Sequence, residues 1–324
     1  MKKIIAMVLA LVMALSLCAC GGSAPADAPA KADGSYVVGI CQLVQHDALD
    51  AATKGFKDAL TEKLGDKVSF SEQNASGDSA TCAVICNQFV SDEVDLIMAN
   101  ATPALLAAQS ATNEIPILGT SVTDYGSALG IADWTGTVGS NISGTSDLAP
   151  LDGQAAMLKE MFPDAKTVGL LYCSGEPNSK FQADTITPIL EGMGYTVSAY
   201  TFADSNDVAN VTANACGDCD VLYIPTDNTA ASCTEAINNV ALPAGVPIVA
   251  GEEGICSGCG VATLSISYYD LGYATGLMAW EILANGADVS TMPIEYAPNF
   301  TKKFNSANCE ALNIQAPADY VAIG

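Results

Sequence analysis

Polar side chains that could bind a small charged molecule are concentrated in six short segments, each of which directly follows an apolar run. Hydroxyl and amide groups dominate the segments of the N-terminal half, and carboxylates are more frequent in those of the C-terminal half. Hydroxyls and the free N–H groups of helix N-termini suit a ligand carboxylate, whereas Asp or Glu suits a ligand ammonium. The two sets together predict a site for a zwitterion. They are Gln42, His46, Asn100, Thr102, Ser121, Thr123 and Asp124 in the first half, and Ser174, Glu176, Asn178, Thr226, Asp227, Asn228, Glu252 and Glu253 in the second.

The same residues also have a purely structural interpretation. Thr102 and Asn228 lie where a helix is predicted to begin, and side chains there often cap their own backbone. At any one position, ligand binding and helix capping fit equally well. The predicted site therefore depends on the convergence of all six turns and not on a single residue. Four tyrosines near these turns could form the walls of a pocket, although aromatic side chains beside strand ends are more often part of a core. They are Tyr125, Tyr172, Tyr268 and Tyr269.

Nothing in the sequence predicts catalysis. His46 is the only histidine, and no nucleophile or orienting acid accompanies it. The GxSxG, Walker-type, HExxH and GxGxxG motifs are absent. We therefore predict no catalytic residue and no cofactor, and we interpret His46 as a hydrogen-bonding residue of the cleft.

The cysteines form two CxxC pairs, Cys216 with Cys219 and Cys256 with Cys259. Such pairs can be the halves of a zinc site, but the distance between them along the chain exceeds the spacing of a zinc ribbon. We interpret the cysteines as structural and predict no metal. A disulfide between Cys256 and Cys259 is the alternative in an oxidising compartment.

The elements that position these residues are predicted from apolar periodicity. Residues 94–124 have the pattern of a strand, a polar turn, a helix, a strand and a second polar turn, and residues 220–253 repeat this order. Short apolar runs that alternate with helical patterns are typical of parallel strands with crossover helices. We therefore predict an α/β fold of two Rossmann-like lobes with parallel sheets joined by a hinge. In such sheets, ligands bind beyond the carboxyl ends of the strands.

The predicted lobes are discontinuous in sequence. Lobe 1 comprises residues 36–142 and 268–290, and lobe 2 comprises residues 143–267 and 291–324. The small, turn-prone residues from Asn141 onwards suit a crossing between the lobes. Further strands are predicted at 36–41, 68–70, 167–173, 196–202 and 261–267, and helices at 48–64, 78–91, 153–161, 179–193, 206–215 and 268–285.

Composition limits the class of protein. A chain of 324 residues is long enough for two domains, and a charged fraction of only 15% favours a packed globular protein. The formal net charge of -24 repels nucleic acid and anionic bilayer surfaces, so no nucleic-acid partner is predicted. All twelve positive charges are Lys, so an anion cannot be held by an arginine fork.

The N-terminus has the layout of a secretory signal. Two lysines precede an apolar run that is too short to span a membrane comfortably. Leu17, Ala19 and Cys20 then resemble a bacterial lipobox, which predicts Cys20 as the lipidated first residue of the mature protein. An uncleaved anchor or a plain signal peptide is the alternative.

Residues 1–20 are thus the predicted lipoprotein signal peptide, and residues 21–35 the predicted flexible tether, because they are rich in Ala, Pro, Gly and Asp. The predicted location is extracytoplasmic, with a lipid anchor to the cell membrane.

Five segments carry a resemblance to a known family: HDALDAATKGF from His46, QNASGD from Gln73, FVSDEVDLIMANATP from Phe89, IPTDNT from Ile224 and SYYDLGYATG from Ser267. Together they resemble the solute-binding lipoproteins of bacterial ABC importers. More narrowly, the chain is similar to the tryptophan/tyrosine-binding branch of the type I periplasmic binding proteins. The cysteine content departs from that family and leaves a redox or metal side-role open.

The resemblance implies a three-segment hinge, closure of the lobes on a ligand, and delivery to a membrane permease driven by a separate ATPase. It also implies roles for individual residues. Thr102, Ser121 and Thr123 would hold a ligand carboxylate, and Asp227, Asn228, Glu252 and Asp147 would surround the amine.

Our hypothesis from the sequence is reversible capture of an aromatic amino acid (Trp, Tyr or Phe) or a close relative, without covalent chemistry. Two alternatives stay open. The same fold can serve a sensor or a carrier for a different small molecule, such as a sugar, a nucleoside or another amino acid. A secreted enzyme that uses the carboxylates of the cleft is the other.

Overall fold

The structure is a computed structural model and describes residues 34–323. The predicted signal segment, its Cys20 and residues 21–33 of the tether lie outside the described residues. None of the helices in the described part of the chain combines the length and the apolar character needed to cross a membrane.

The described residues alternate between strands and helices. The strands are β1 (Tyr36–Gln42), β2 (Val68–Asn74), β3 (Leu96–Asn100), β4 (Ile117–Val122), β5 (Ile142–Ser146), β6 (Thr167–Cys173), β7 (Thr196–Phe202), β8 (Val221–Ile224), β9 (Ile248–Ala250), β10 (Ala262–Ser265), β11 (Glu295–Tyr296), β12 (Thr301–Phe304) and β13 (Val321–Ala322). The α-helices are α1 (Asp47–Leu64), α2 (Ser79–Ser91), α3 (Thr102–Ala111), α4 (Tyr125–Ala128), α5 (Leu151–Met161), α6 (Pro177–Gly192), α7 (Val208–Asp218), α8 (Asn228–Ser232), α9 (Thr234–Ala244), α10 (Glu253–Cys259), α11 (Tyr268–Asn285) and α12 (Ser306–Ala311).

The strands form two sheets, each the centre of one lobe. The first sheet has the order β11-β5-β4-β3-β1-β2, and the second has the order β13-β12-β10-β9-β8-β6-β7. Every pairing is parallel except that of β10 with β12. Strands β3, β4 and β5 are buried over their whole length, as expected for parallel strands covered on both faces. The predicted α/β class with two parallel-dominated sheets is confirmed.

Helix α11 returns to the first lobe and packs on α1. Phe56 of α1 and Met278 of α11 share an apolar cluster with Val38 of β1. The two helices approach closely because their contact contains glycines: a Cβ atom on Gly272 would lie 1.9 Å from the Ala52 carbonyl oxygen.

The boundary between the lobes differs from the predicted one. Strand β5 belongs to the first sheet and runs to Ser146, and β11 also belongs to that sheet. Residues 143–146 have the small or polar side chains that are typical of a loop, but those of Ser143 and Thr145 form hydrogen bonds. Thr145 Oγ1 lies 2.8 Å from Thr275 Oγ1, and Ser143 Oγ donates to the Met292 carbonyl at 3.0 Å. The chain therefore passes between the sheets at residues 147–150, 266–267 and 297–300.

We predict that Gly272→Ala lowers the free energy of unfolding by about 1–3 kcal/mol, because the added methyl group must displace the backbone of α1. Gly217→Ala is the matched control: Gly217 is also helical, but a Cβ atom there meets nothing within 4 Å. Urea unfolding of the purified proteins measures both changes. Equal stabilities of the two variants would contradict close packing of α1 on α11.

Candidate ligand-binding site between the lobes

The polar turns of the two lobes face each other and are in contact. His46 Nε2 lies 3.2 Å from Asn228 Oδ1, and Gln182 Nε2 lies 3.5 Å from Thr123 Oγ1. Helices α3 and α4 of the first lobe contact α6 of the second, and α1 contacts α10. The structure therefore has the lobes closed on each other, with the predicted turns between them.

Closure removes the predicted site residues from solvent. His46 is half-buried. The other predicted ligand-binding residues are all buried: Gln42, Asn100, Thr102, Ser121, Thr123, Asp147, Glu176, Asn178, Asp227, Asn228, Glu252 and Tyr268. Asp124, in contrast, caps its own helix, because its Oδ1 accepts from the Ser127 N–H at 2.7 Å.

Several of these buried groups have no partner. Among the described residues, seven buried side-chain atoms lack a hydrogen bond, and six of the seven belong to predicted site residues. Leaving a buried donor or acceptor unpaired costs about 1–3 kcal/mol, so native proteins rarely cluster such atoms without a function. The six are His46 Nδ1, Asn100 Oδ1, Thr102 Oγ1, Ser121 Oγ, Asp147 Oδ1 and Asn178 Oδ1; the seventh, Thr263 Oγ1, lies within β10.

Hydroxyl and N–H donors meet at the start of α3. Ala101 precedes this helix at φ +95° and offers no capping side chain, so the N–H groups of Thr102 and Ala104 keep their donor capacity; Pro103 between them has no N–H. Thr102 is the first helical residue. Ser121 stands beside it on the neighbouring strand at φ +54°, where the register of β4 with β5 shifts. Left-handed backbone at non-glycine residues is costly and tends to persist at functional sites.

Acceptor oxygens form the complementary set. The Asn100 amide nitrogen donates to the Leu49 carbonyl at 2.9 Å, and the Asn178 amide nitrogen donates to the Thr226 carbonyl at 3.1 Å. Because a carbonyl can only accept, these bonds fix which end of each amide is the nitrogen. The unpartnered atom of each is therefore an acceptor.

Asp147 contributes a carboxylate with one oxygen in use. Tyr268 donates its hydroxyl to Asp147 Oδ2 at 3.0 Å, and Oδ1 is unpartnered. Burial raises the pKa of Asp147 to about 6, and the bond from Tyr268 offsets part of this effect. No lysine of the described residues forms an ion pair with it. A ligand ammonium would supply the missing positive charge.

The other predicted carboxylates hold helix N-termini. Asp227 accepts from the Ala230 and Cys173 N–H groups, both at 2.7 Å. Glu252 accepts from the Gly254 N–H at 2.6 Å and also caps α10. Burial raises the pKa of Asp227 to about 8, with a contribution from Glu176, and raises that of Glu252 to about 7. Their implied role around an amine stays a prediction, but the structure first gives them a capping role that residue type alone does not distinguish.

Glu176 is a supporting residue. Its Oε1 accepts from the Thr229 N–H at 2.8 Å, and its Oε2 accepts from the N–H and the side-chain amide of Asn228 at 3.0 and 2.7 Å. Asn178 donates to the same Oε2 at 3.1 Å. Glu176 therefore orients two site amides and caps α8, with no oxygen left unbonded.

Gln42 is also fully bonded within its lobe. Its amide nitrogen donates to Asp50 Oδ1 at 2.6 Å, and its oxygen accepts from the Thr53 hydroxyl, also at 2.6 Å. Thr53 in turn accepts from Asn100 at 3.0 Å. Gln42 therefore supports Asn100 through Thr53, and its contact with a ligand stays a prediction.

Gln182 is a site residue that the sequence did not indicate. It lies in the middle of α6, where its amide both donates to the Thr226 carbonyl and accepts from the Thr226 N–H, each at 3.1 Å. It also reaches Thr123 across the cleft. Its position one helical turn after Asn178 is the only signal that could have placed it on the same face.

The ten cysteines of the described residues are free thiols, including both predicted CxxC pairs. No group of three or more His, Cys, Asp or Glu side chains in residues 34–323 has an arrangement that could hold a metal ion.

Comparison with known proteins defines the class. Residues 37–322 match the family described as ABC transporter substrate binding protein. The chain belongs to this family, whose members act outside the cytoplasm and bind substrates for ABC transporters. The family resemblance found in the sequence is thereby confirmed.

Individual relatives agree with this assignment. The chain is 36% identical over 323 residues to the tyrosine-binding protein of Clostridioides difficile (strain R20291). This alignment covers 97% of this chain and 93% of the relative. A structure of the ABC domain from Streptococcus pneumonia in complex with L-Trp matches with a TM-score of 0.85 and 29% identity, covering 89% of this chain and 100% of that one. These relatives are substrate-binding proteins rather than enzymes.

Two further structures describe the fold and its arrangement. The ligand-free, open structure of a substrate binding protein with adhesive properties from Clostridium difficile has a TM-score of 0.68 at 37% identity, covering 89% of this chain and 99% of that one. A leucine binding protein from Thermotoga maritima shares the fold at a TM-score of 0.58 and 14% identity, covering 79% of this chain and 84% of that one. The predicted type I periplasmic binding fold is confirmed.

The raised pKa of Asp147 predicts a dependence of stability on pH. The folded state holds a proton that the unfolded state releases near pH 3.8, so this contribution is complete below pH 3.8 and is lost as pH rises through about 6. Asp147→Asn, which does not titrate, should make the free energy of unfolding fall less between pH 4 and 7, by about 2 kcal/mol. Asp133→Asn, in an exposed loop, is the control. Parallel pH profiles for wild type and Asp147→Asn, measured by urea unfolding, would refute the assignment.

Proposed function

We propose that this chain captures one aromatic amino acid, or a close relative, between its lobes and delivers it to an ABC permease driven by a separate ATPase. The observation that carries the proposal is the group of six buried, unpartnered polar atoms between the lobes. Their chemistry suits both ends of a zwitterion, and the names of the relatives point to tyrosine and tryptophan.

The ligand carboxylate is proposed to bind at the N-terminus of α3. Thr102 and Ser121 supply hydroxyl donors there, and the helix supplies N–H groups and the positive end of its dipole. Uncharged donors suffice because closure removes the anion from water. Hydrogen bonds are electrostatically stronger in the protein interior than in water. The sequence contains no arginine that could take this part.

The ligand ammonium is proposed to bind Asp147 Oδ1. This oxygen is buried, and Tyr268 already fixes the other oxygen of the carboxylate. Asn100 and Asn178 offer further unpartnered acceptors in the cleft. Asp227 and Glu252 act around this arrangement as helix caps, and Asn228 acts through its bond to His46.

The arrangement of the lobes supports a ligand-bound state. This chain is more similar in sequence to the protein solved in its ligand-free, open form, yet it superposes better on the complex with L-Trp. We attribute this reversal to the angle between the lobes, because a change of that angle lowers the overall superposition without changing the fold of either lobe. A closed arrangement is the one that a ligand between the lobes stabilises.

Anchoring by lipid at Cys20 completes the proposal. Without a membrane-crossing helix in residues 34–323, a lipid at the end of the predicted tether would keep the receptor near its permease. The acidic surface makes electrostatic attachment to an anionic bilayer unfavourable, so the lipid is the proposed attachment.

We predict that Thr102→Val weakens binding of L-Tyr and L-Trp about tenfold to hundredfold, since a hydrogen bond to a charged group is lost without a change of shape. Thr263→Val is the matched control, because it removes the second buried threonine hydroxyl that lacks a partner within residues 34–323, and this hydroxyl lies within β10. Calorimetric titration measures both affinities. If Tyr, Trp and Phe all fail to bind the wild type, the aromatic assignment is wrong.

We also predict that Cys20→Ser releases the protein from the membrane fraction into the medium, because serine cannot form the thioether to lipid. Cys18→Ser, two residues earlier, should leave attachment unchanged. Fractionation and the mass of the mature N-terminus distinguish the two. Release of both variants, or of neither, would count against Cys20 as the lipidated residue.

A further inference from the structure

We infer that His46 selects ligands whose side chain carries a hydrogen-bond donor, so that the site prefers tyrosine or tryptophan to phenylalanine. The inference rests on the proposed function, and it names the residue that sets specificity within that site. It follows from which ring nitrogen of His46 carries hydrogen, and from the number of unpaired hydrogen-bond acceptors in the cleft.

The neighbours of His46 determine which of its ring nitrogens carries hydrogen. Asn228 donates its amide nitrogen to Glu176 Oε2 at 2.7 Å, so the amide oxygen of Asn228 must face the other way, towards His46. That oxygen lies 3.2 Å from His46 Nε2. Since an amide oxygen only accepts, Nε2 must be the nitrogen with the hydrogen.

The ring is neutral, which leaves its second nitrogen as an acceptor. Burial lowers the pKa of His46 below its ordinary value, and the nearby Asn228, Glu176, Asp50 and Asp47 offset this effect only in part. A neutral imidazole with hydrogen on Nε2 has a lone pair on Nδ1. Nδ1 is buried and has no partner among the described residues.

The number of unpaired acceptors exceeds what the backbone of an amino acid can satisfy. Four acceptors are unpartnered in the cleft: His46 Nδ1, Asn100 Oδ1, Asn178 Oδ1 and Asp147 Oδ1. An ammonium group has only three N–H bonds, and the Thr102 and Ser121 hydroxyls are required by the carboxylate. One acceptor therefore needs a donor from the ligand side chain.

Strand order identifies His46 as that acceptor. In the first sheet, Asp147 follows β5, Ser121 lies at the end of β4, Thr102 follows β3 and His46 follows β1. Neighbouring strands are about 4.8 Å apart, so His46 and Asp147 stand roughly 14 Å apart along the row. With the ammonium at Asp147, His46 is the unpartnered acceptor at the strand ends of the first sheet that lies farthest from it, so we assign the side-chain donor to His46.

A phenol O–H or an indole N–H can donate to Nδ1, whereas the phenylalanine ring leaves it buried and unpaired. A site built to hydrogen-bond a ligand group rejects the analogue that lacks the group, because its own polar atom is then stranded. The relay from Glu176 through Asn228 to His46 is thus a positioning device that keeps the acceptor pointing at the ligand.

The test compares the affinities of L-Tyr, L-Phe and 4-fluoro-L-phenylalanine by calorimetry, the last being nearly as long as tyrosine but without a donor. We expect wild type to bind L-Tyr at least tenfold more tightly than either analogue. His46→Leu should bring the three affinities together by weakening L-Tyr alone. His46→Gln, which can again present an acceptor oxygen, should restore part of the preference, and Gln45→Leu at the exposed neighbouring position should keep all of it.

The outcomes separate this inference from the proposed function. Equal affinities of wild type for L-Tyr and L-Phe would overturn the role of His46 while leaving aromatic capture intact, as would a preference that His46→Leu does not change. Failure of all three to bind would overturn the proposed function itself. Thermal melting of each variant checks that loss of affinity is not loss of fold.

Discussion

Closing two lobes strips water from the polar side chains between them, and each stripped donor or acceptor must find another partner. This requirement explains how most of the polar side chains in the cleft are arranged. Some groups find partners in the chain: His46 with Asn228, and Asp147 with Tyr268. The others have no partner within residues 34–323, and on the proposed function a zwitterionic ligand pairs with them. Closure and binding are therefore one event in energetic terms.

Fully bonded residues behind the site keep the unpaired atoms in place. Glu176 holds the amides of Asn178 and Asn228, and Gln42 holds Asn100 through Thr53. These networks form when the chain folds, so a ligand does not have to order them when it binds. A predicted polar residue can therefore matter for a ligand by supporting another residue of the cleft.

Apolar periodicity predicts the scaffold well. Strands β6 and β7 and helix α11 have the bounds that the sequence indicates, because continuous apolar runs and helical spacing are local signals. Strand β5 was not predicted, because it is built from Ser143, Gly144 and Thr145 and its burial depends on distant partners. Residue 144, for example, must be glycine, because a Cβ atom there would lie 2.0 Å from the Gly119 carbonyl oxygen.

The sequence indicates that the polar turns lie together, but it does not indicate what each residue in them does. Parallel topology alone places the ends of the strands together, so convergence of the turns follows from local sequence. Which carboxylate caps a helix and which keeps an oxygen unbonded depends on backbone N–H groups a few ångströms away. Asp227 and Asp147 are the same residue type after the same kind of strand, and only packing separates their roles.

The same constraint gives closure its dependence on the ligand. Six unpartnered atoms at about 1 kcal/mol each, the low end of the usual range, cost about 6 kcal/mol in an empty closed cleft. Moving a two-state equilibrium from 1:99 to 99:1 takes about 5.5 kcal/mol. The unpaired groups alone are therefore large enough to keep an empty receptor open and a loaded one closed. On the proposed function, specificity and signalling to the permease share one physical origin, because a ligand that leaves an acceptor unpaired also closes the lobes less completely.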